Sequence, residues 1–317
     1  MAARKSNASK KLIPAVRYLR YHLTNSGTPN TETSHFIDLA RDLSRVNRRL
    51  YRAGRDYHVK RISVTSANTI VPPNVSAGRF SVSGAPDSWV ARAAWQRGKK
   101  AWDQMNKTAT GQLAGTITGT WADFKIDLSR DYTNATLANP LDNGGNAVLA
   151  AEDWDVSMFV TPDGTATDDE FMCTLLGDHV GTAGTRTSIG LIKSYGESRA
   201  TVQNTDPSVP STASDDPLVN LFDYGTTIDD VIDNLEGLND SPPYSQSSYP
   251  GQDGNMEKPL VFHESTLSAS GQAKLPGFSC LMGQLEVEIQ SPVENDVYSV
   301  LIELAPGKYR GIKAEAI

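Results

Sequence analysis

The sequence has few cysteines and no long apolar run. Only Cys173 and Cys280 occur in 317 residues, so a disulfide framework is excluded and two buried thiols are the better interpretation. No apolar stretch approaches the ~20 residues that span a bilayer, and no apolar signal segment follows the charged N-terminus. We therefore expect no membrane partner and no signal peptide.

Motifs of the common enzyme classes are also missing. The sequence contains no GxxxxGK[ST], no GxGxxG after a strand, no HExxH, no GxSxG and no paired CxxC. In residues 176–188, LGDHVGTAGTRTS, Asp178, His179 and Ser188 could form a nucleophilic triad, but a glycine-rich turn around a hydrogen-bonded histidine explains the segment better. We predict that the protein is not an enzyme and has no catalytic residues and no cofactor.

Two groups of short polar side chains could in principle bind Ca²⁺. They are Asp142, Asn143 and Asn146, and separately Asp229, Asp230 and Asp233. Neither group matches the twelve-residue calcium loop. A turn and a solvated acidic helix are the better interpretations, so we predict no metal site.

Charge, by contrast, is abundant and unevenly distributed. Residues 1–107 contain 20 Lys and Arg against 6 Asp and Glu, whereas residues 108–317 contain 10 against 31. The two parts carry net charges of +14 and −21, which the formal charge of −7 conceals. This asymmetry predicts a basic segment that neutralises a polyanion and an acidic body that faces solvent.

The segment SHFIDLARDLSRVNRRLYRAG, residues 34–54, has the pattern of an amphipathic helix. At 100° per residue, one face collects the apolar side chains Phe36, Leu39, Leu43, Val46 and Leu50. The opposite face collects Arg41, Arg45, Arg48 and Arg52. We predict a helix within residues 34–56, with Ser34 as N-cap and Gly54 at its end. A solvated arginine face is the alternative.

Residues 1–33 are predicted to form a basic arm that precedes this helix. Arginine can hold a phosphate through two parallel hydrogen bonds, and neutralising a polyanion requires many cations but no base contacts. The predicted nucleic-acid-binding residues are Arg4, Lys5, Lys10, Lys11, Arg17, Arg20, Arg41, Arg45, Arg48, Arg49, Arg52 and Arg55.

Residues 57–317 favour a mainly β domain, because apolar residues alternate with polar ones over many short runs. Strands are predicted at 57–65, 79–83, 113–119, 122–128, 155–161, 171–176, 186–192, 259–263, 281–289 and 298–304. Helices are predicted at 88–106, with Trp95 and Trp102 as core anchors rather than a base-stacking platform, and at 227–235. Residues 237–258 are the longest surface loop. This pattern favours a jelly-roll-like antiparallel β-sandwich with two or three short helices.

Three segments resemble the capsid proteins encoded by small circular single-stranded DNA viruses. They are FIDLARDLSRVNRRLYRAGRDYHVKRISVTS at 36–66, DDPLVNLFDYGTTIDDVIDNLE at 215–236 and NDVYSVLIELAPGKYRGIKAEAI at 295–317. The resemblance implies a jelly-roll coat subunit that self-assembles into an icosahedral shell in the virion. It also implies packaged nucleic acid, single-stranded DNA, as the partner of the basic segment.

Other interpretations remain open at this point. The double jelly-roll capsid proteins of some bacterial viruses are a neighbouring possibility, although about 16 strands would be tight in this length. A receptor- or glycan-binding sandwich on a viral spike or phage tail is the main alternative. It would explain exposed Tyr244 and Tyr249 in the long loop, but not the N-terminal arginines.

Overall fold

The computed structural model describes residues 14–66, 78–112, 121–148, 154–160, 170–182, 185–199, 249–251, 257–268 and 270–317. Its strands are β1 (Tyr18–Thr24), β2 (Glu32–Asp38), β3 (Arg55–Ser66), β4 (Arg79–Gly84), β5 (Phe159–Val160), β6 (Glu170–Thr174), β7 (Ser188–Gly190), β8 (Leu260–Thr266), β9 (Gln272–Leu275), β10 (Phe278–Leu281), β11 (Gln284–Gln290), β12 (Val297–Leu304), β13 (Pro306–Gly307), β14 (Gly311–Ile312) and β15 (Ala314–Ala316). Its helices are α1 (Leu39–Asn47), α2 (Trp89–Gln112), α3 (Arg130–Asn134) and α4 (Leu191–Arg199). None of these helices is both long and apolar enough to span a bilayer.

Two antiparallel sheets form the body of the molecule. In the first, the strand order is β1-β12-β3-β10, and β9 and β15 also pair with β3. In the second, the order is β2-β11-β4-β8. Because β9 and β10 follow one another along β3, they occupy a single strand position. The pairs β1–β12, β2–β11, β3–β9/β10 and β4–β8 are therefore nested within one another along the chain.

The two sheets pack face to face and share one core. On β1 the inward side chains are Leu19, Tyr21 and Leu23, and on β11 they are Leu285, Val287 and Ile289. All six are essentially inaccessible to solvent, and burying each aliphatic side chain contributes about 1.5–3 kcal/mol relative to exposure. The mainly β, antiparallel sandwich predicted from the period-two pattern is thus confirmed.

A large insert joins β4 to β8 and contains α2, α3, β5–β7 and α4. It has its own core, which Phe36, Leu281 and Met282 connect to one end of the sandwich. Trp95 is 4% exposed, and its ring centroid lies 5.6 Å from that of Phe124. Trp102 packs against the same ring at 5.9 Å. The prediction that these two tryptophans are core anchors is therefore confirmed.

Both cysteines are buried in these cores as free thiols. Cys173 lies on β6 within the insert, and Cys280 lies on β10 in the sandwich. Burial raises the pKa of the Cys173 thiol to about 12. The interpretation as buried thiols is confirmed.

Most strands that the sequence predicts are present, but 122–128 is not a strand. Phe124, Ile126 and Leu128 are buried as the alternation requires, yet only an isolated bridge joins Asp127 to Thr174. The Lys125 N–H donates to the Ser157 hydroxyl and the Ile126 carbonyl accepts from the Gln284 side chain, so no continuous ladder forms. From 155–161 only β5 is a strand. The predicted strand 113–119, the helix 227–235 and most of the loop 237–258 lie outside the described residues.

The single helix predicted within 34–56 is wrong, because β2 occupies its first part. Phe36 and the residues before it pair with β11, as in His35↔Val287. Asp38 then caps α1, its carboxylate accepting the Arg41 N–H at 2.9 Å. The helix ends at Arg48, whose backbone is left-handed at φ 52 and whose N–H bonds the Ser44 carbonyl. Ser34 and Gly54 are therefore not its caps.

The boundary of the predicted arm at residue 33 is also wrong. Residues from Tyr18 onward belong to the sandwich, since β1 pairs with β12 over its whole length. The buried alternation of Leu19, Tyr21 and Leu23 is visible in the sequence, but its partner strand lies at the other end of the chain. Residues 1–13 lie outside the described part.

Candidate nucleic-acid interface

The outer face of the β1-β12-β3-β9 sheet is basic. Where these strands run side by side, the outward charged residues are Arg20, Lys60, Arg61, Lys274 and Glu303. Glu303 is neutralised, because Lys60 Nζ lies 2.7 Å from its Oε1 and Arg61 Nε lies 2.6 Å from its Oε2. A second carboxylate of this sheet, Glu315 of β15, lies 3.7 Å from His58 Nε2. The Lys60 bond lowers the pKa of Glu303. We call this surface the basic face.

The outer face of the β2-β11-β4-β8 sheet has the opposite charge. Its outward charged residues are Glu32, Glu264, Glu286, Glu288 and Arg79. Arg79 contacts three of the four carboxylates, including Glu264 at 3.5 Å and Glu288 at 3.9 Å. Burial raises the pKa of the remaining one, Glu286, and the neighbouring Glu288 charge adds to the effect. We call this surface the acidic face.

A third charged feature lies at the C-terminal end of α1. It is a groove of about 300 Å³ lined by Arg41, Ser44, Arg45, Arg48, Arg49, Leu50, Trp121 and Trp154. Arg48 and Arg49 are exposed, and Trp121 is 73% exposed. We call this the arginine–tryptophan groove. It combines cations with aromatic faces, the two kinds of group that single-stranded nucleic acid contacts.

Asp123 holds the segment that contains Trp121 next to the end of α1 through hydrogen bonds. Its carboxylate accepts the Ala53 N–H at 2.8 Å and a guanidinium N–H of Arg52 at 3.3 Å. Arg52 also donates to the Ala122 carbonyl at 2.9 Å. The position of Trp121 next to the arginines therefore depends on bonds made by its two following residues.

Trp154 forms the other aromatic wall and is anchored from behind. Its indole N–H donates to Asp38 Oδ2 at 2.8 Å, so the N-cap of α1 also orients this ring. Lys125 Nζ lies 4.8 Å from the ring centroid, within the range of a cation–π contact.

Arg41 does not belong to an exposed arginine row. It is 5% exposed, its Nε lies 2.8 Å from Asp42 Oδ1, and it also donates to the Ala138 carbonyl. Asp42 accepts the Tyr21 hydroxyl at 2.7 Å. Burial raises the pKa of Asp42 to about 6, against the opposing effect of Arg41. The predicted phosphate contact of Arg41 is corrected to a structural role, because its charge is already paired inside the protein.

The other predicted arginines are distributed over separate parts of the surface. Arg45 donates to Asn139 at 3.0 Å and Arg49 to the Pro14 carbonyl at 3.4 Å. Arg55 lies over the Tyr309 ring at 3.6 Å. Arg17 lies just before β1, and Arg20 lies on β1. Four predicted residues lie outside the described part of the chain: Arg4, Lys5, Lys10 and Lys11. They precede Pro14, whose carbonyl accepts the bond from Arg49 beside the groove.

Sequence reasoning missed four groups at these surfaces: Lys60, Arg61, Lys274 and Trp121. The two neighbouring cations of β3 interrupt the period-two alternation at a bulge opposite Glu303 and Leu304. That interruption of the alternation is the feature of the sequence that could have indicated two adjacent exposed cations. No local pattern indicated Trp121, since its exposure depends on where Asp123 bonds.

The three side chains considered for a triad are not linked to one another. Asp178 pairs with Lys193 at 2.5 Å, His179 accepts the Gly190 N–H at Nδ1, and its Nε2 lies 3.2 Å from Glu197. Among the described residues, none makes a hydrogen bond with the Ser188 hydroxyl. A hydrogen-bonded histidine in a turn is therefore the correct interpretation of this segment.

Two further observations bear on the remaining alternatives. Asp142 accepts the Asn146 N–H at 2.8 Å and so closes a turn, and the described ranges contain no cluster of three or more potential metal ligands. Tyr249, expected to be exposed, is fully buried, with its ring 6.0 Å from that of Trp89. Tyr244 lies outside the described residues.

Comparisons with known proteins identify no relative. No family model, no curated protein and no solved structure matches the chain.

Proposed function

We propose that the protein is a viral coat subunit that self-assembles into a closed icosahedral shell and neutralises packaged nucleic acid. The observation that carries this proposal is the opposite charge of the two outer faces of one sandwich. A subunit with one basic and one acidic face has a preferred orientation in a shell around a polyanion, because the basic face gains counterion release there. The acidic face then meets solvent and keeps the particle soluble.

The strand pairing supports a jelly roll as the shell domain. The two large sheets contain eight strand positions along the chain, of which the first pairs with the eighth, the second with the seventh, the third with the sixth and the fourth with the fifth. Rolling up one long antiparallel hairpin produces this nesting, and it then brings β12 beside β3 and β11 beside β4. Eight positions also favour a single over a double jelly roll.

The nucleic acid is held through its phosphates, without base-specific contacts from the basic face. Arg20, Lys60 and Lys274 project from strands, where they present charge but no matched donor and acceptor pattern. The residues before Pro14 add Arg4, Lys5, Lys10 and Lys11. Single-stranded DNA is the proposed cargo, and the virion is the proposed location.

Lysine labelling of assembled particles tests the proposed orientation. Lys60 and Lys274 belong to the basic face, whereas Lys258 lies just before β8 and is 83% exposed. In intact particles an amine reagent should modify Lys258 and spare Lys60 and Lys274, and disassembly should make all three reactive. Equal labelling of all three lysines in intact particles would refute the inward basic face.

Light scattering of the purified full chain tests assembly itself. The proposal requires closed particles of many subunits under some condition of salt and pH. A species that stays trimeric under all conditions would instead favour the spike or tail module.

A further inference from the structure

We propose that the arginine–tryptophan groove binds single-stranded nucleic acid selectively over duplex, with one unpaired base stacked on Trp121 and the adjacent phosphates on Arg48 and Arg49. This inference rests on the proposed function, because it specifies how the packaged strand is recognised. It adds a built site to the diffuse charge of the basic face.

The charges around the groove favour an anionic ligand. Two carboxylates beside the groove, Asp38 and Asp42, are 2% and 0% exposed and already bonded to protein groups. Asp123 is occupied by Arg52 and Ala53. No described residue makes a hydrogen bond or ion pair with the guanidinium of Arg48. Among the described residues, no carboxylate therefore pairs with the two exposed arginines of the groove, Arg48 and Arg49.

The aromatic walls select for unpaired bases. Trp121 is the most exposed large apolar side chain of the described residues, whereas Trp95 is buried and Trp89 packs against Tyr195 and Tyr249. An aromatic ring stacks on any base whose face is accessible, but in a duplex both faces are covered by neighbouring base pairs. Stacking on Trp121 thus requires a single strand.

The backbone at Arg48 supports a functional role for this turn. Arg48 occupies the left-handed position that ends α1, at φ 52, where glycine carries no steric penalty. An arginine there keeps a cation between Arg45 and Arg49 at some cost in conformational energy. Arginine at this position therefore supplies a charge to the groove, whereas glycine would give the more stable helix end.

The test measures binding of the full-length protein to three probes at several salt concentrations. The probes are oligothymidylate, the same strand annealed to oligoadenylate, and inorganic polyphosphate. The variants are Trp121→Ala, Trp121→Phe, the double variant Arg48→Ala/Arg49→Ala, and Trp89→Phe as a control for a tryptophan outside the groove.

Trp121→Ala should weaken oligothymidylate binding by about 5- to 150-fold, the range expected for one lost stacking contact. It should leave duplex and polyphosphate binding within about twofold, and Trp121→Phe should restore most of the loss. The double arginine variant should weaken all three probes and reduce the single-strand salt slope by about 1.4. Trp89→Phe should behave as wild type.

The outcomes separate the two proposals. If Trp121→Ala binds oligothymidylate like wild type while the double arginine variant binds less, the stacking site is wrong and the proposed function stands. If Trp121→Ala weakens all three probes equally, single-strand selectivity is refuted. If the wild-type protein binds no nucleic acid, both proposals fail.

Discussion

Arginines a few residues apart have different roles, and the difference is set by the side chains around them. Removing the guanidinium of Arg41 leaves the buried carboxylate of Asp42 with only the Tyr21 hydroxyl as partner. Breaking one side of a buried ion pair costs about 3–5 kcal/mol. We expect Arg41→Ala to lower the free energy of unfolding by that amount, and Arg48→Ala to change it by less than about 0.5 kcal/mol. Urea unfolding of the two variants measures both; equal effects would contradict the buried role of Arg41.

Asp127 gives the folded protein a stability that depends on pH. Burial raises its pKa to about 6, whereas an aspartate in an unfolded chain ionises near ~3.9. Between about pH 4 and pH 6 the folded state holds a proton that the unfolded state has lost, so the free energy of unfolding falls as pH rises through this window. Relative to wild type, Asp127→Asn should gain on the order of 2–3 kcal/mol between pH 4 and pH 7. Urea unfolding at each pH tests this, and a pH-independent difference would contradict it.

Sequence patterns at this scale indicated that the N-terminal third is basic, but not which cations are available. Arg41 is hidden because β1 brings Tyr21 to Asp42, and Trp121 is exposed because Asp123 bonds Ala53. Both facts depend on residues distant in the chain. Burial of the two cysteines, which depends mainly on side-chain chemistry, was predictable.

At the scale of elements, stability and charge favour different residues at position 48, where α1 ends. Arg48→Gly removes the side chain from a left-handed residue, so we expect it to stabilise the fold by up to about 1 kcal/mol. The same substitution removes one cation from the groove and should weaken nucleic-acid binding. Thermal unfolding and filter binding on one preparation measure the two effects. A variant that is both less stable and unchanged in binding would contradict this account of the turn.

The elements most accurately predicted were those whose alternation faces a core on one side and solvent on the other. β3, β11 and β12 belong to this class. The helix expected over 34–54 failed because helical and extended spacing fit its first residues about equally. These residues form a strand because they pair with β11, some 250 residues later in the chain. No local window contains that partner.

At the scale of the whole molecule, the proposed function requires the charge of each face to determine how much nucleic acid an assembled particle retains. Lys274→Glu reverses one charge on the basic face, and Glu264→Lys reverses one on the acidic face. Both residues are exposed strand positions, so neither change should alter folding by more than about 0.5 kcal/mol. We expect Lys274→Glu particles to contain less nucleic acid and Glu264→Lys particles to match wild type. The ratio of absorbance at nucleic-acid and protein wavelengths measures this; a loss only in Glu264→Lys would reverse the assignment of the faces.

The insert between β4 and β8 leaves the sandwich at Gly84 and returns at Leu260, which face each other in the β4–β8 ladder. Because the chain leaves and re-enters the sheet at neighbouring positions, the sheets do not restrict the length of the insert. A lineage could therefore replace the whole surface module while keeping the strand order of the two sheets. An engineer could graft a foreign antigen at the same junction, provided that it covers the apolar side chains of Phe36, Leu281 and Met282 and replaces the bonds that the present module makes to Asp38 and Arg41.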